Sequence, residues 1–143
     1  MIDLTQINIL NKNNEIINLK NLNKKIIGLY FSAHYCPPCR KFTPILSTFY
    51  EDLIDYYNDM EIIFLSSDED EISFNNYWEQ MTFPALPFIK KETKENLKKI
   101  CKVELIPSLI FIDETGKIIS NDGVNIIKES NGNMEFVRNK LNL

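Results

Sequence analysis

Residues 32–44 read "SAHYCPPCRKFTP", with Cys36 and Cys39 separated by two prolines and followed by basic residues. Such a pair is open to three readings: a redox couple, half of a metal site, or an incidental part of a core. What lies on either side decides among them. Upstream, "KIIGLYF" (25–31) is a short apolar run with β-branched and aromatic residues, which suits a buried strand. Downstream, Phe42, Leu46, Phe49, Leu53 and Tyr57 recur at three or four residues, the stripe of a helix on a core, with Pro44 inside it predicting a kink. The cysteines therefore stand where a strand hands over to a helix. At such a helix start, exposed amides and the macrodipole favour an anion, so Cys36 is expected as a thiolate. Cys39, one turn further in, is close enough to close a small disulfide ring. Pro37 and Pro38 need no amide hydrogen in a first turn and stiffen the loop.

Thiol–disulfide exchange follows from this placement. Cys36 would attack a substrate disulfide, and Cys39 would resolve the mixed disulfide and leave the pair oxidised. Zinc needs further ligands, and the chain offers only His34, its one histidine, and Cys101. The second cysteine cluster of a zinc site is absent, so the expected metal complement is none.

Further along, "TQINILNKNNEIINL" (5–19) reads as a hairpin around the turn "NKNN". "MEIIFLSS" (60–67) is a second buried strand, and "DEDE" (68–71) places charge where the next helix, "ISFNNYWEQM", exposes its first amides. Helix capping is the first reading of that acidic run. "FPALPF" (83–88) is extended, "KETKENLKKIC" (91–101) a short polar helix, and "PSLIFID" (107–113) and "KIIS" (117–120) a hairpin across the turn "ETG". Asn133 caps a last helix with Phe136, Val137 and Leu141 on its apolar face. This order implies an α/β fold, a mixed sheet with helices on both faces and an N-terminal hairpin, over 1–143 as one domain. Ligand chemistry in such sheets gathers beyond the carboxyl ends of the strands, where Cys36 stands.

Composition narrows the function classes. At 44% hydrophobic and 25% charged residues the chain can bury a core. Its net charge of −4, with basic residues scattered, argues against a nucleic-acid binder. No run reaches the length of a membrane span, and "MIDLTQINIL" lacks the pattern of a secretory signal. A soluble, cytoplasmic monomer is expected. Three cysteines are too few and odd in number for a structural disulfide framework.

With the strand, "YCPPC", the helix containing Pro44 and a later "IPS" in place, the chain resembles the thioredoxin fold, in its tryparedoxin and nucleoredoxin branch. The pieces that carry the resemblance are "GLYFSAHYCPPCRKFTPIL" (28–46), "IIFLSSDEDEISFNNYW" (62–78), "FPALPF" (83–88) and "VELIPSLIFID" (103–113). It implies a Cys36/Cys39 dithiol–disulfide cycle, a cis peptide at Pro107 lying against the pair, and Ile106 presenting backbone to an extended substrate strand. Tyr35 stands where the family has tryptophan, and Tyr30 where ordinary thioredoxins bury an aspartate. Some other group must then assist Cys39, with Asp68, Glu69 or water as candidates. Trypanosomal members carry "WDE" and a loop arginine, and here Ser67, Asp68 and Glu69 and the loop "SNDGV" (120–124) keep only the carboxylates. His34 could stabilise the thiolate or shuttle a proton, or could be a solvent-facing loop residue. Trp78 reads as core and Cys101 as a small apolar side chain.

The resemblance implies an oxidoreductase that needs no cofactor beyond its redox-active disulfide. It takes electrons from a low-molecular-weight dithiol, glutathione or a reductase and passes them to protein disulfides, peroxiredoxins being typical clients. The alternative is a nucleoredoxin-like module that holds a partner under redox control with little turnover.

Overall fold

The computed structural model covers residues 1–143. Its central strand, β3 (Ile26–Ser32), is buried along its whole length, as a β-branched and aromatic run with no charge requires. β3 pairs parallel with β4 (Met60–Ser66) and antiparallel with β5 (Ser108–Asp113), and β6 (Ile118–Ser120) extends the sheet on the far side of β5. At Gly28 a Cβ would lie 2.8 Å from Ile62 Cδ1 and 3.1 Å from Leu109 Cδ1 and Phe111 Cε1, so the neighbouring side chains fill the space that a larger residue would use.

β1 (Asn8–Leu10) and β2 (Ile16–Asn18) form the N-terminal hairpin. It is joined to β4 through one residue of the "FPALPF" stretch. Ala85 exchanges hydrogen bonds with Leu10 (2.8 and 3.0 Å), while Phe64 of β4 bonds Pro84 O and Leu86 N, both at 2.9 Å. The extended segment thus covers a sheet edge that would otherwise be bare.

Alternation along the strands splits the core in two. Tyr30, Ile62, Phe64, Leu109 and Phe111 face α1 (Pro37–Tyr56), α2 (Glu71–Trp78), α4 (Gly123–Ser130) and α5 (Met134–Lys140). Ile27, Leu29, Phe31, Ile63, Leu65, Ile110 and Ile112 face the other way, toward Ile9, Leu19 and α3 (Lys91–Ile100). Leu97 is the one fully buried residue of α3, which explains why that helix reads as mostly polar.

The structure departs from the sequence reading in two places. A helix, α4, occupies 123–130, where only a loop and the approach to the last helix were expected; Asn131 and Gly132, both at positive φ, separate it from α5. Its Gly123 start packs so closely that a Cβ would meet Leu109 O at 2.4 Å. The acidic run 68–71 also divides. Asp70 caps α2 by accepting from Ser73 N at 2.7 Å, whereas Asp68 turns inward and caps nothing. No helix is long and apolar enough to cross a membrane.

Candidate active site

β3 ends at Ser32, and the chain turns through Ala33, His34 and Tyr35 to place Cys36 as the N-cap of α1. Its sulfur accepts the Cys39 amide hydrogen at 3.4 Å. A thiolate here gains both that donor and the positive end of a twenty-residue helix. Pro37 and Pro38 fill the first helical positions and are exposed, costing the helix no hydrogen bond. On the other side the Cys36 thiol reaches Ile106 O at 3.7 Å, and the Ile106–Pro107 peptide is cis. All three cysteines are free thiols.

The two cysteines of the pair differ in setting. Cys39 is wholly buried, and burial pushes its thiol up to about 11; the hydrogen bond with Cys36 acts in the same direction, while the Ser32 hydroxyl and the Ala33 backbone pull against it. A thiol so held is protonated near neutrality. Cys36 lies nearer the surface, beside the exposed Tyr35 (51% accessible). The Tyr35 phenol is pushed up, first by desolvation and then by Asp68.

His34 and Asp68 are brought together. The Asp68 carboxylate, with no side-chain exposure, accepts from His34 N at 2.8 Å and Ser66 Oγ at 2.7 Å, and lies 3.1 Å from His34 Nδ1. Arg40 closes the loop from outside by donating to His34 O at 2.8 Å. The buried carboxylate therefore fixes the turn that carries Tyr35 and Cys36. Glu69 is exposed.

Four buried hydroxyls on β3, α1 and α2 are joined by hydrogen bonds on the face of β3 that packs on α1. Ser32 bonds Tyr77 (2.8 Å), Tyr77 bonds Thr43 (2.6 Å), and Thr43 bonds Tyr30 (2.7 Å). Sequence reasoning missed Ser32, Thr43 and Tyr77. The available signal was the strand period, which puts Ser32 on the same face as Tyr30, toward α1.

Cys101 ends α3 within the second core, where burial pushes its thiol up to about 11. Trp78 is core, donating Nε1–H to Phe83 O at 2.8 Å. No group of three or more His, Cys, Asp or Glu side chains is assembled as a metal centre would need. The largest cavity, about 590 Å³ between α1 and α4, is lined by Ile45, Phe49 and Ile127 among others and contains neither Cys36 nor Cys39. The cysteine pair lies outside that cavity, with Cys36 9% accessible and Cys39 wholly buried.

The comparisons agree with this geometry. The thioredoxin-like family profile matches residues 23–118. The chain is 42% identical to tryparedoxin of Trypanosoma brucei brucei over 127 residues, 87% of each protein. It is 42% identical over 114 residues to a probable nucleoredoxin of Arabidopsis thaliana, covering 80% of this chain but only 20% of that much longer protein. A solved thioredoxin from Wuchereria bancrofti superposes with a TM-score of 0.82 at 37% identity, over 90% of each chain. The cysteine pair and these relatives support thiol–disulfide oxidoreductase chemistry in general. Strand, cysteine turn, helix and relatives thus agree that the chain belongs to the thioredoxin-like family and is closely related to tryparedoxins and nucleoredoxins.

Proposed function

We propose that this protein reduces protein disulfides, peroxiredoxins among its clients, through a Cys36/Cys39 dithiol–disulfide cycle. The observation that carries the reading is Cys36 itself, a helix-capping sulfur that accepts the Cys39 amide and lies beside the Ile106 carbonyl at the surface. Its thiolate attacks one sulfur of the client disulfide. That S–S bond breaks, a mixed disulfide forms, and the first client thiol departs with a proton. Cys39 then attacks Cys36 sulfur, the mixed disulfide breaks, and the second client thiol leaves. The client gains two electrons and the protein keeps a Cys36–Cys39 disulfide. An external thiol, glutathione, a low-molecular-weight dithiol or a reductase, returns it to the dithiol.

The client lies along the exposed patch formed by Tyr35, Pro37, Pro38 and Leu105, its extended backbone meeting Ile106 and Pro107. His34 stands against Tyr35, oriented by Asp68, and the exposed Glu69 follows Asp68 in the chain. The placement of the pair outside the largest cavity supports a macromolecular client over an enclosed small substrate. The protein works in this reading as a cytoplasmic monomer.

Cys36→Ser is expected to abolish turnover of a peroxiredoxin disulfide, and Cys39→Ser to accumulate a mixed disulfide seen as an added client mass. Full activity in Cys36→Ser would end this reading. Partner binding that survives loss of both cysteines, with negligible turnover, would favour the nucleoredoxin-like binding module instead.

A further inference from the structure

We infer that docking of an extended client backbone on Ile106 shifts Cys36 from thiol to thiolate, because the carbonyl that receives the client is also the acceptor that holds the Cys36 proton. This rests on the dithiol–disulfide reading above and couples its binding step to its first chemical step.

Cys36 has two polar partners with opposite preferences. The Cys39 amide donates to its sulfur at 3.4 Å, a bond that a thiolate accepts more strongly than a thiol. The Ile106 carbonyl lies at 3.7 Å on the other side. A carbonyl oxygen only accepts, so this second contact holds the protonated sulfur and turns into repulsion against a thiolate. The balance at Cys36 therefore depends in part on an oxygen that the fold does not otherwise use.

Ile106 is half-buried and lies outside β5, which begins at Ser108. Its C=O accepts from no backbone group and meets only the Cys36 thiol, and its N–H donates to no other residue. An unpaired N–H and C=O on one residue present what a bare strand edge presents, and an antiparallel peptide pairs with both. The loop is already held in place: Ser108 Oγ donates to Leu105 O at 2.6 Å, and the Leu105 side chain stands 80% exposed beside it.

A client N–H that donates to Ile106 O either displaces the Cys36 S–H or shares the oxygen with it. In both cases the oxygen offers less charge to the thiol proton and repels the thiolate less, while the Cys39 amide stays on the sulfur. The thiol proton passes to the buffer, and the thiolate attacks the client disulfide. That S–S bond breaks with its electron pair on the departing client sulfur, the Cys36–client S–S bond forms, and the departing thiolate takes a proton from the buffer. A small disulfide without a backbone amide leaves the contact between thiol and carbonyl in place. Ile106 is thus a positioning residue whose backbone favours clients that carry a peptide chain.

The experiment uses wild-type reduced protein and the blocked peptide Thr-Val-Thr-Cys-Thr-Val-Thr, its cysteine in a mixed disulfide with thionitrobenzoate. Attack by Cys36 releases the coloured aromatic thiolate, the better leaving group. Rates are followed against peptide concentration and pH. The second-order rate constant reports the ionisation of Cys36 in the free protein, and the limiting rate at saturation reports it in the docked complex. The midpoint of the limiting rate is expected about half a pH unit below the other, about threefold in the ratio of thiolate to thiol, at the low end of one hydrogen bond's contribution. Methylating the peptide amide nitrogens one at a time is expected to close this gap at the position that meets Ile106. Around the sulfur stand Cys39 on α1, His34 with Arg40 on its carbonyl, Tyr35, Asp68 and Glu69 after β4, and Glu104 before Ile106. All of them meet the methylated and unmethylated peptides alike, so a gap that one methyl group removes belongs to the Ile106 oxygen. Coincident midpoints, a gap that survives every methylation, or a rate that never saturates overturns the inference. Colour released at the full rate by Cys36→Ser would instead overturn the dithiol reading itself.

Discussion

Replacing Asp68 with alanine removes a carboxylate that no solvent reaches and that holds the turn before Cys36. Three donors lose their acceptor: His34 N at 2.8 Å, Ser66 Oγ at 2.7 Å and the His34 ring at 3.1 Å. The ring is half exposed and turns to water at little cost. The other two face a buried void, and each orphaned buried donor costs about 1–3 kcal/mol. Partial access of water to the His34 amide brings the sum to about 2–4 kcal/mol. With an unfolding entropy of about 2.1 cal/mol/K per residue over 143 residues, this lowers the melting temperature by about 7–13 °C. The assay is thermal unfolding of reduced protein followed by circular dichroism, beside two controls. His34→Ala, which forfeits only the ring contact, is expected to cost less than about 1 kcal/mol. Glu69→Ala, at an exposed position, is expected to change stability by less than about 0.5 kcal/mol. An Asp68→Ala protein melting within about 2 °C of wild type would refute the argument that this carboxylate fixes the catalytic turn.

Two other outcomes follow from the thiols. Because burial pushes Cys39 and Cys101 to about 11, about one part in ten thousand of each is thiolate at pH 7. Brief alkylation of folded, reduced protein should therefore label Cys36 alone, and Cys39 and Cys101 only after unfolding, as read by peptide mass spectrometry. For Cys101 the folded value lies above the ordinary value of 9, so the fold favours the neutral thiol. That stabilisation is intact below pH about 9 and is lost as pH rises through about 11. Over this window wild type should lose about 2 kcal/mol more than Cys101→Ala, measured by urea denaturation at each pH.

The pair itself, its place at a strand–helix junction, the α1 stripe and the central strands were legible because they depend on near neighbours in the chain. Periodicity places Phe42, Leu46, Phe49 and Leu53 on one face, and all four are buried, whereas Tyr57, the fifth member of the stripe, lies past the end of α1 in extended backbone and is half-buried. Asn133 reads as a cap and is one, accepting from Phe136 N at 3.1 Å. The α4 helix was not legible, because its glycine start looks like a turn until Leu109 is seen against it. Asp68 and Asp70 are equally acidic in sequence, and only β4 and the His34 loop, thirty-four residues away, decide that one turns inward while the other caps a helix.

The sequence alone therefore determined the motif: two thiols at a spacing that closes a ring, placed where a strand hands over to a helix. Only the tertiary structure decided which polar groups are buried on the α1 side of the sheet. The hydroxyls of Tyr30, Ser32, Thr43 and Tyr77 bond one another across 13, 34 and 45 residues of chain. No local pattern encodes such a cluster. Serine, threonine and tyrosine are ordinary surface residues until packing excludes water, and then each hydroxyl must find its partner within the fold.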